Sequence, residues 1–155
     1  MNIYKKSFEC KDENDTKKLA CIIAKMSKKG DVFALYGTLG AGKSTFSRYF
    51  IQYFMGNIDV PSPTFTLVQT YSTVNFEIYH YDMYRLKHYE EAYELGIDEA
   101  FYNAVNLIEW PEKIETILPK NIWKINITTN GSVRLFEITT SSEEKASRLK
   151  EVVFE

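Results

Sequence analysis

The residues Gly37-Thr38-Leu39-Gly40-Ala41-Gly42-Lys43-Ser44 follow the spacing G-x-x-x-x-G-K-[ST], the P-loop or Walker A pattern. That spacing suits the grip of a polyphosphate. Glycines let the backbone curl until several N–H groups point at one anion. A helix starting near Lys43 adds the positive end of its dipole. Gly40, Ala41, Gly42, Lys43, Ser44 and Thr45 are therefore the expected nucleotide-binding residues. Lys43 reaches the β and γ phosphates and counts among the catalytic groups. The Ser44 hydroxyl is a Mg²⁺ ligand, and Thr45 bonds the α phosphate. ATP with Mg²⁺ is the expected load.

Such a loop needs a carboxylate at the end of a neighbouring strand to hold the metal, directly or through water. Two acids follow apolar runs and so stand at strand tips. Glu109 ends Val105-Asn106-Leu107-Ile108, and Asp82 ends Ile78-Tyr79-His80-Tyr81. Glu109 is assigned to the metal. Asp82 is assigned to orienting or activating the attacking water, or to an outer metal contact. Thr64, in Ser62-Pro63-Thr64, lies where many P-loop proteins carry a nucleotide-sensing loop, and is the third catalytic candidate. A Pro-stiffened turn capped by hydroxyls accounts for it equally well. Trp110 follows Glu109 directly and could shield the site from water. His80 and His88 have no metal partners at ligand spacing and read as strand or surface histidines.

The elements that must position these groups are legible around them. Asp31 to Tyr36 reads as a buried strand entering the glycine loop, and Lys43 to Met55 as the helix leaving it, stopped by Gly56. Upstream, Asp12 to Lys28 has apolar residues at helical spacing, a possible cap in Asp12 or Asp15, and Gly30 at its end. No element is assigned to residues 1–11. Downstream, Phe65 to Thr73 and Phe76 to Tyr81 form a hairpin. A helix from Glu90 to Tyr102 is interrupted at Gly96. Val105 to Ile108 is a second buried parallel strand, followed by a short helix over Pro111 to Leu118. Ile122 to Thr128 and Val133 to Thr139 flank Asn130-Gly131, a strong hairpin signal. Ser142 to Phe154 is expected to be a terminal helix. The sum is an α/β fold of the P-loop NTPase kind, with a mixed parallel and antiparallel central sheet flanked by helices.

With 155 residues and 45% apolar content, the chain is expected to form a single domain, 1–155, able to bury a core without staples. Nineteen basic residues against 21 acidic give a net charge of −2. That balance argues against broad electrostatic binding of nucleic acid, which needs a basic stripe. The two cysteines, Cys10 and Cys21, match no metal or disulfide pattern. Cys21 is expected to pack as a small hydrophobe, and both thiols suit a reducing cytoplasm. No signal-peptide core is present, and no apolar run approaches the roughly 20 residues that cross a bilayer. The expected location is cytoplasmic, with no membrane contact.

Five motifs in order resemble one family. They are Leu35-Tyr36 through Phe46, Ser62-Pro63-Thr64-Phe65-Thr66-Leu67-Val68, Tyr79-His80-Tyr81-Asp82-Met83-Tyr84-Arg85-Leu86, Glu94-Leu95-Gly96, and Leu107-Ile108-Glu109-Trp110-Pro111-Glu112. Together they resemble the bacterial TsaE family, the ATPase component of tRNA threonylcarbamoyladenosine synthesis. That family usually has Asp where Thr38 stands and Thr where Ser44 stands. Ser keeps the metal hydroxyl, whereas Thr38 removes a negative charge beside the phosphates. The resemblance implies slow ATP hydrolysis by the isolated chain. It also implies work with two partner proteins, TsaB- and TsaD-like, one of which transfers threonylcarbamoyl to adenosine 37 of tRNAs reading codons that start with A. Contact with tRNA itself would be indirect or weak. By the same resemblance the adenine lies near the first helix and the last hairpin, where Thr16 and Arg134 are the matching residues.

Three other readings compete. A small-molecule P-loop kinase would carry an Arg-rich lid, yet Arg48, Arg85, Arg134 and Arg148 are scattered. A GTPase would need an Asn-Lys-x-Asp element, which is missing. A nucleotide-dependent scaffold without useful turnover is poorly separated from a weak ATPase by sequence.

Overall fold

The strand Val32–Tyr36 shows how the fold is built. Phe33 and Leu35 point to one face of the sheet and Val32 and Ala34 to the other, and all four are buried. A strand covered on both faces belongs at the centre of a layered α/β fold. The structure, a computed structural model, describes residues 2–154. Its strands are β1 (Tyr4–Cys10), β2 (Val32–Tyr36), β3 (Val68–Ser72), β4 (Glu77–Asp82), β5 (Ala104–Glu109), β6 (Trp123–Asn130) and β7 (Val133–Thr140). They form one seven-stranded sheet in the order β1-β7-β6-β2-β5-β4-β3. The pairs around β2 and β5 are parallel, and those of β1–β7, β6–β7 and β3–β4 are antiparallel. The mixed sheet agrees with the sequence reading.

Helices α1 (Glu13–Met26) and α2 (Lys43–Met55) cover one face, joined by residues of α4 (Glu143–Lys150). Phe33 lies 5.4 Å from the ring of Phe50 in α2 and 5.7 Å from that of Trp123 in β6. Truncating a buried aromatic in such a cluster costs about 3–5 kcal/mol. Helix α3 (Ile97–Asn103) and two 3-10 segments, Tyr89–Leu95 and Pro111–Ile117, cover the other face.

Several boundaries differ from the sequence reading for local reasons. Residues 4–10, left without an element, are an edge strand paired along β7. The alternation of Lys6, Phe8 and Cys10 with exposed Lys5, Ser7 and Glu9 is the period-two signal of a half-buried strand. Helix α1 is capped by Asp12, whose carboxylate accepts from the Asp15 amide at 2.9 Å. It ends at Ser27 rather than Gly30. The strand after Pro63 begins only at Val68, because Leu67 sits in the left-handed region at φ 70°. The segment Glu90 to Tyr102 is a 3-10 turn and a true helix meeting at Gly96. The Pro111 segment is 3-10 as well. The terminal helix stops at Lys150, short of Phe154. Cys10 is the buried cysteine, whereas Cys21 is only partly covered. No helix among the described residues is long and apolar enough to cross a membrane.

Candidate functional site

Parallel pairing brings the carboxyl ends of β2, β5 and β4 together. Leu35 pairs with Glu109, and Glu109 pairs with Asp82. The loop that leaves β2 and both strand-tip acids therefore meet at one edge of the sheet, as ligand sites of open α/β sheets do.

The loop itself is drawn tight. Gly42 has φ +115°, and a Cβ there would run into the guanidinium of Arg134. At Gly37 a Cβ would come within 2.9 Å of the Ile127 carbonyl oxygen. Both positions thus require glycine for conformation and for space. The Lys43 ammonium donates to the carbonyls of Gly37 and of Thr38, the latter at 3.1 Å, and so ties the start of the loop to its end. Thr38 O also accepts from the Ala41 amide at 3.0 Å. Ala41 is buried beneath the loop. Burial pushes the Lys43 pKa down, while the charges of Glu109, Glu112 and Asp82 push it up. The ammonium also sits 3.9 Å from the ring centroid of Trp110, so the indole lies against the lysine. Tyr84 packs against the same indole at 4.8 Å. Gly42 caps α2 without a side-chain bond, so no capping side chain occupies the first amides of the helix, and the first-turn residues Lys43, Ser44 and Thr45 line the cleft.

Two acids face this loop. The Ser44 hydroxyl donates to Oε1 of Glu109 at 2.9 Å. The other carboxylate oxygen, Oε2, lies 2.6 Å from Nε2 of His80. Asp82 takes the Thr64 hydroxyl on Oδ2 at 3.1 Å and the Tyr84 amide on Oδ1 at 3.0 Å. Thr64 in turn shares a hydrogen bond of 2.8 Å with Ser62. Its loop is anchored by Leu67, whose amide reaches Pro63 O and whose carbonyl accepts from the Asp82 amide.

These groups line one cleft of about 340 Å³, bounded by Gly40, Gly42, Lys43, Ser44, Thr45, Thr64, Asp82, Glu109, Trp110 and Arg134. A smaller cleft of about 120 Å³ adjoins it, sharing Thr45 and Arg134 and reaching Thr16, Cys10, Asp12 and Ser132. Of the residues assigned from sequence, all but Thr16 and Ala41 line the first cleft; Thr16 lines the smaller one, and Ala41 is buried. Thr16 is hydrogen-bonded to Cys10. Arg134 packs on Gly42 and stands between the two clefts. A wider groove of about 820 Å³ runs beside β1 and the C-terminal segment, but it has no glycine loop.

The donor set fits a magnesium-loaded polyphosphate. Ser44, Glu109, Asp82 and Thr64 offer oxygen only, the ligand class that Mg²⁺ takes. Among the described residues no three His, Cys, Asp or Glu side chains form a metal cage. One or two protein oxygens completed by phosphates and water is the usual way Mg²⁺ is held. His80 is the residue whose part the sequence reading missed. In β4 it shares a face with Asp82 and lies diagonal to Glu109 on β5, within reach of a long side chain. That relation depends on how β4 and β5 pair, and no local pattern encodes it.

The fold is that of the P-loop class. The family described as "Threonylcarbamoyl adenosine biosynthesis protein TsaE" matches residues 10–136. A Rickettsia felis protein named tRNA threonylcarbamoyladenosine biosynthesis protein TsaE is 47% identical over 137 residues, covering 87% of this chain and 80% of that protein. The Bacillus subtilis protein of the same name is 40% identical over 118 residues, covering 76% and 73%. A structure titled "Crystal structure of Bacillus subtilus YdiB" superposes with a TM-score of 0.82 at 30% identity, covering 97% of this chain and 95% of the other. The chain belongs to the TsaE family of threonylcarbamoyladenosine biosynthesis proteins.

Proposed function

We propose that this protein binds ATP with Mg²⁺, hydrolyses it slowly on its own, and thereby supports a complex that places threonylcarbamoyl on adenosine 37 of tRNA. The observation that carries the reading is the Gly37–Ser44 loop held opposite Glu109 and Asp82 at the ends of three parallel strands. Loop amides and the Lys43 ammonium balance the phosphate charge. Ser44 and Glu109 are the residues that would hold the metal, which would supply charge neutralisation for the polyphosphate. Asp82 and Thr64, already hydrogen-bonded to each other, orient the attacking water. Thr16 and Arg134 lie where the base and its ribose enter through the smaller cleft.

The partners are two proteins of the threonylcarbamoyl-transfer complex, TsaB- and TsaD-like, and the transfer chemistry belongs to one of them. Support comes from family membership and from the scatter of Arg48, Arg85, Arg134 and Arg148, which does not make the Arg-rich lid of a small-molecule kinase. Phosphate release measured with and without the two purified partners tests it. A several-fold rise on adding both is expected. A flat rate, with nucleotide binding intact, would replace the reading with that of a nucleotide-dependent scaffold.

A further inference from the structure

His80 is 1% exposed, and its ring meets the rest of the site at one point, Oε2 of Glu109 at 2.6 Å. The carboxylate can only accept, so Nε2 carries the hydrogen. Nδ1 is buried with no partner. A leucine would fill this place in the core without burying an unpaired nitrogen, so packing alone gives no reason for a histidine here. Glu109 is itself 2% exposed and makes two contacts, one oxygen to His80 and the other to the Ser44 hydroxyl. A carboxylate held by one oxygen cannot rotate about its terminal torsion, which is otherwise broad.

We propose that His80 is the positioning residue for Glu109: its Nε2–H holds Oε2 so that Oε1 is presented to the Ser44 hydroxyl and the phosphate loop. This rests on the reading of Glu109 as the metal-side acid. Carboxylates that ligate metals are oriented by hydrogen bonds of this kind, and losing one lowers metal affinity by about 10–100-fold.

The test measures binding of the non-hydrolysable β,γ-imido analogue of ATP by calorimetry, in Mg²⁺ and in EDTA. The full chain is compared with His80→Leu, His80→Gln and Glu109→Ala. The glutamine amide nitrogen lies as many bonds from Cβ as Nε2 does, so it restores the donor. His80→Leu is expected to lose about tenfold of the Mg²⁺-dependent gain, with affinity in EDTA within about twofold of the parent. His80→Gln should keep most of the gain. If His80→Leu does not fold, His80→Asn takes its place, because its amide stops at the position of Nδ1 and cannot reach Glu109. Equal losses with and without Mg²⁺ would make His80 a packing residue and overturn the proposal. So would an unchanged gain in the variants that lack the donor. If Glu109→Ala loses the gain while those variants keep it, only the positioning role fails. If Glu109→Ala also keeps it, the metal-side reading falls together with the proposal.

Discussion

Ser44 and Glu109 stand 65 residues apart in the chain, yet the serine Oγ donates to the carboxylate Oε1 at 2.9 Å. One comes from the first turn of α2 and the other from the last residue of β5. The contact sets two hard oxygens side by side at the phosphate loop, both of the ligand class that Mg²⁺ would take. Removing the hydroxyl should therefore weaken metal-assisted binding selectively. Ser44→Ala is expected to lower nucleotide affinity in Mg²⁺ by about tenfold and to leave affinity in EDTA nearly unchanged. Ser44→Thr keeps the oxygen and should stay within about threefold of the parent. Paired calorimetric titrations of the parent and the two variants, each in Mg²⁺ and in EDTA, decide it. An equal loss for Ser44→Ala in both conditions would mean that the hydroxyl serves the loop and not the metal.

Lys43 does two things at once. Its ammonium ties the carbonyls of Gly37 and Thr38 together and lies against the Trp110 ring. Lys43→Ala removes both the strap and the charge that meets the phosphates. Hydrogen bonds to charged groups contribute about 1.5–3 kcal/mol each. The variant should therefore lose roughly 100-fold or more in nucleotide affinity while keeping the helical and strand content of the parent by circular dichroism. Retained binding would remove the loop from the phosphate site.

How much of this was legible in the chain follows from range. The loop, its flanking strand and helix, and the acids at Asp82 and Glu109 are all encoded within a dozen residues of themselves, by glycine spacing and apolar runs. The hairpin at Gly131 was equally local, since the turn residue is the signal. The edge strand Tyr4–Cys10 was missed although its alternation was present, because charged Lys6 shares the inward face with Phe8 and Cys10 and dilutes it. The Pro111–Ile117 segment is broken by non-helical dihedrals at Ile114, whose side chain is buried under the sheet. The His80–Glu109 contact needs the β4–β5 register. Arg134 against Gly42 needs β7 to pass behind the loop. These belong to the fold as a whole and leave no mark in the local sequence.

That last contact makes a prediction of its own. Gly42 is strained for any L-residue at φ +115°, and Arg134 occupies the space a side chain would need. Gly42→Ala faces both costs, and a forced left-handed position alone costs about 1–3 kcal/mol. Pairing it with Arg134→Ala removes the collision but not the backbone strain. Urea unfolding should show Gly42→Ala destabilised by about 2–4 kcal/mol, with part of that returned in the double variant relative to the sum of the singles. Strict additivity would mean that the arginine yields freely and does not brace the loop.

The ion pair of Asp31 with Arg148 tests the fold separately from the site. Arg148 donates to both carboxylate oxygens of Asp31, at 2.8 and 2.9 Å, and the two side chains are 4% and 12% exposed. The guanidinium also reaches the Met26 carbonyl and lies 5.3 Å from the Trp123 ring. Deleting one member of a buried pair leaves an uncompensated charge and costs about 3–5 kcal/mol. Glu144 still pairs with Arg148 but is half exposed, so it offsets only part of the loss. Asp31→Ala should therefore cost about 2–4 kcal/mol in urea unfolding. The double variant Asp31→Ala with Arg148→Met should cost less than the two single changes added together, because neither charge is then stranded. Asp31 sits at the start of β2 and the phosphate loop at its end, about 17 Å away along five strand residues. Nucleotide affinity of the folded variants should accordingly match the parent. A loss of affinity that tracks the loss of stability would show that this distant pair holds the loop as well as the core.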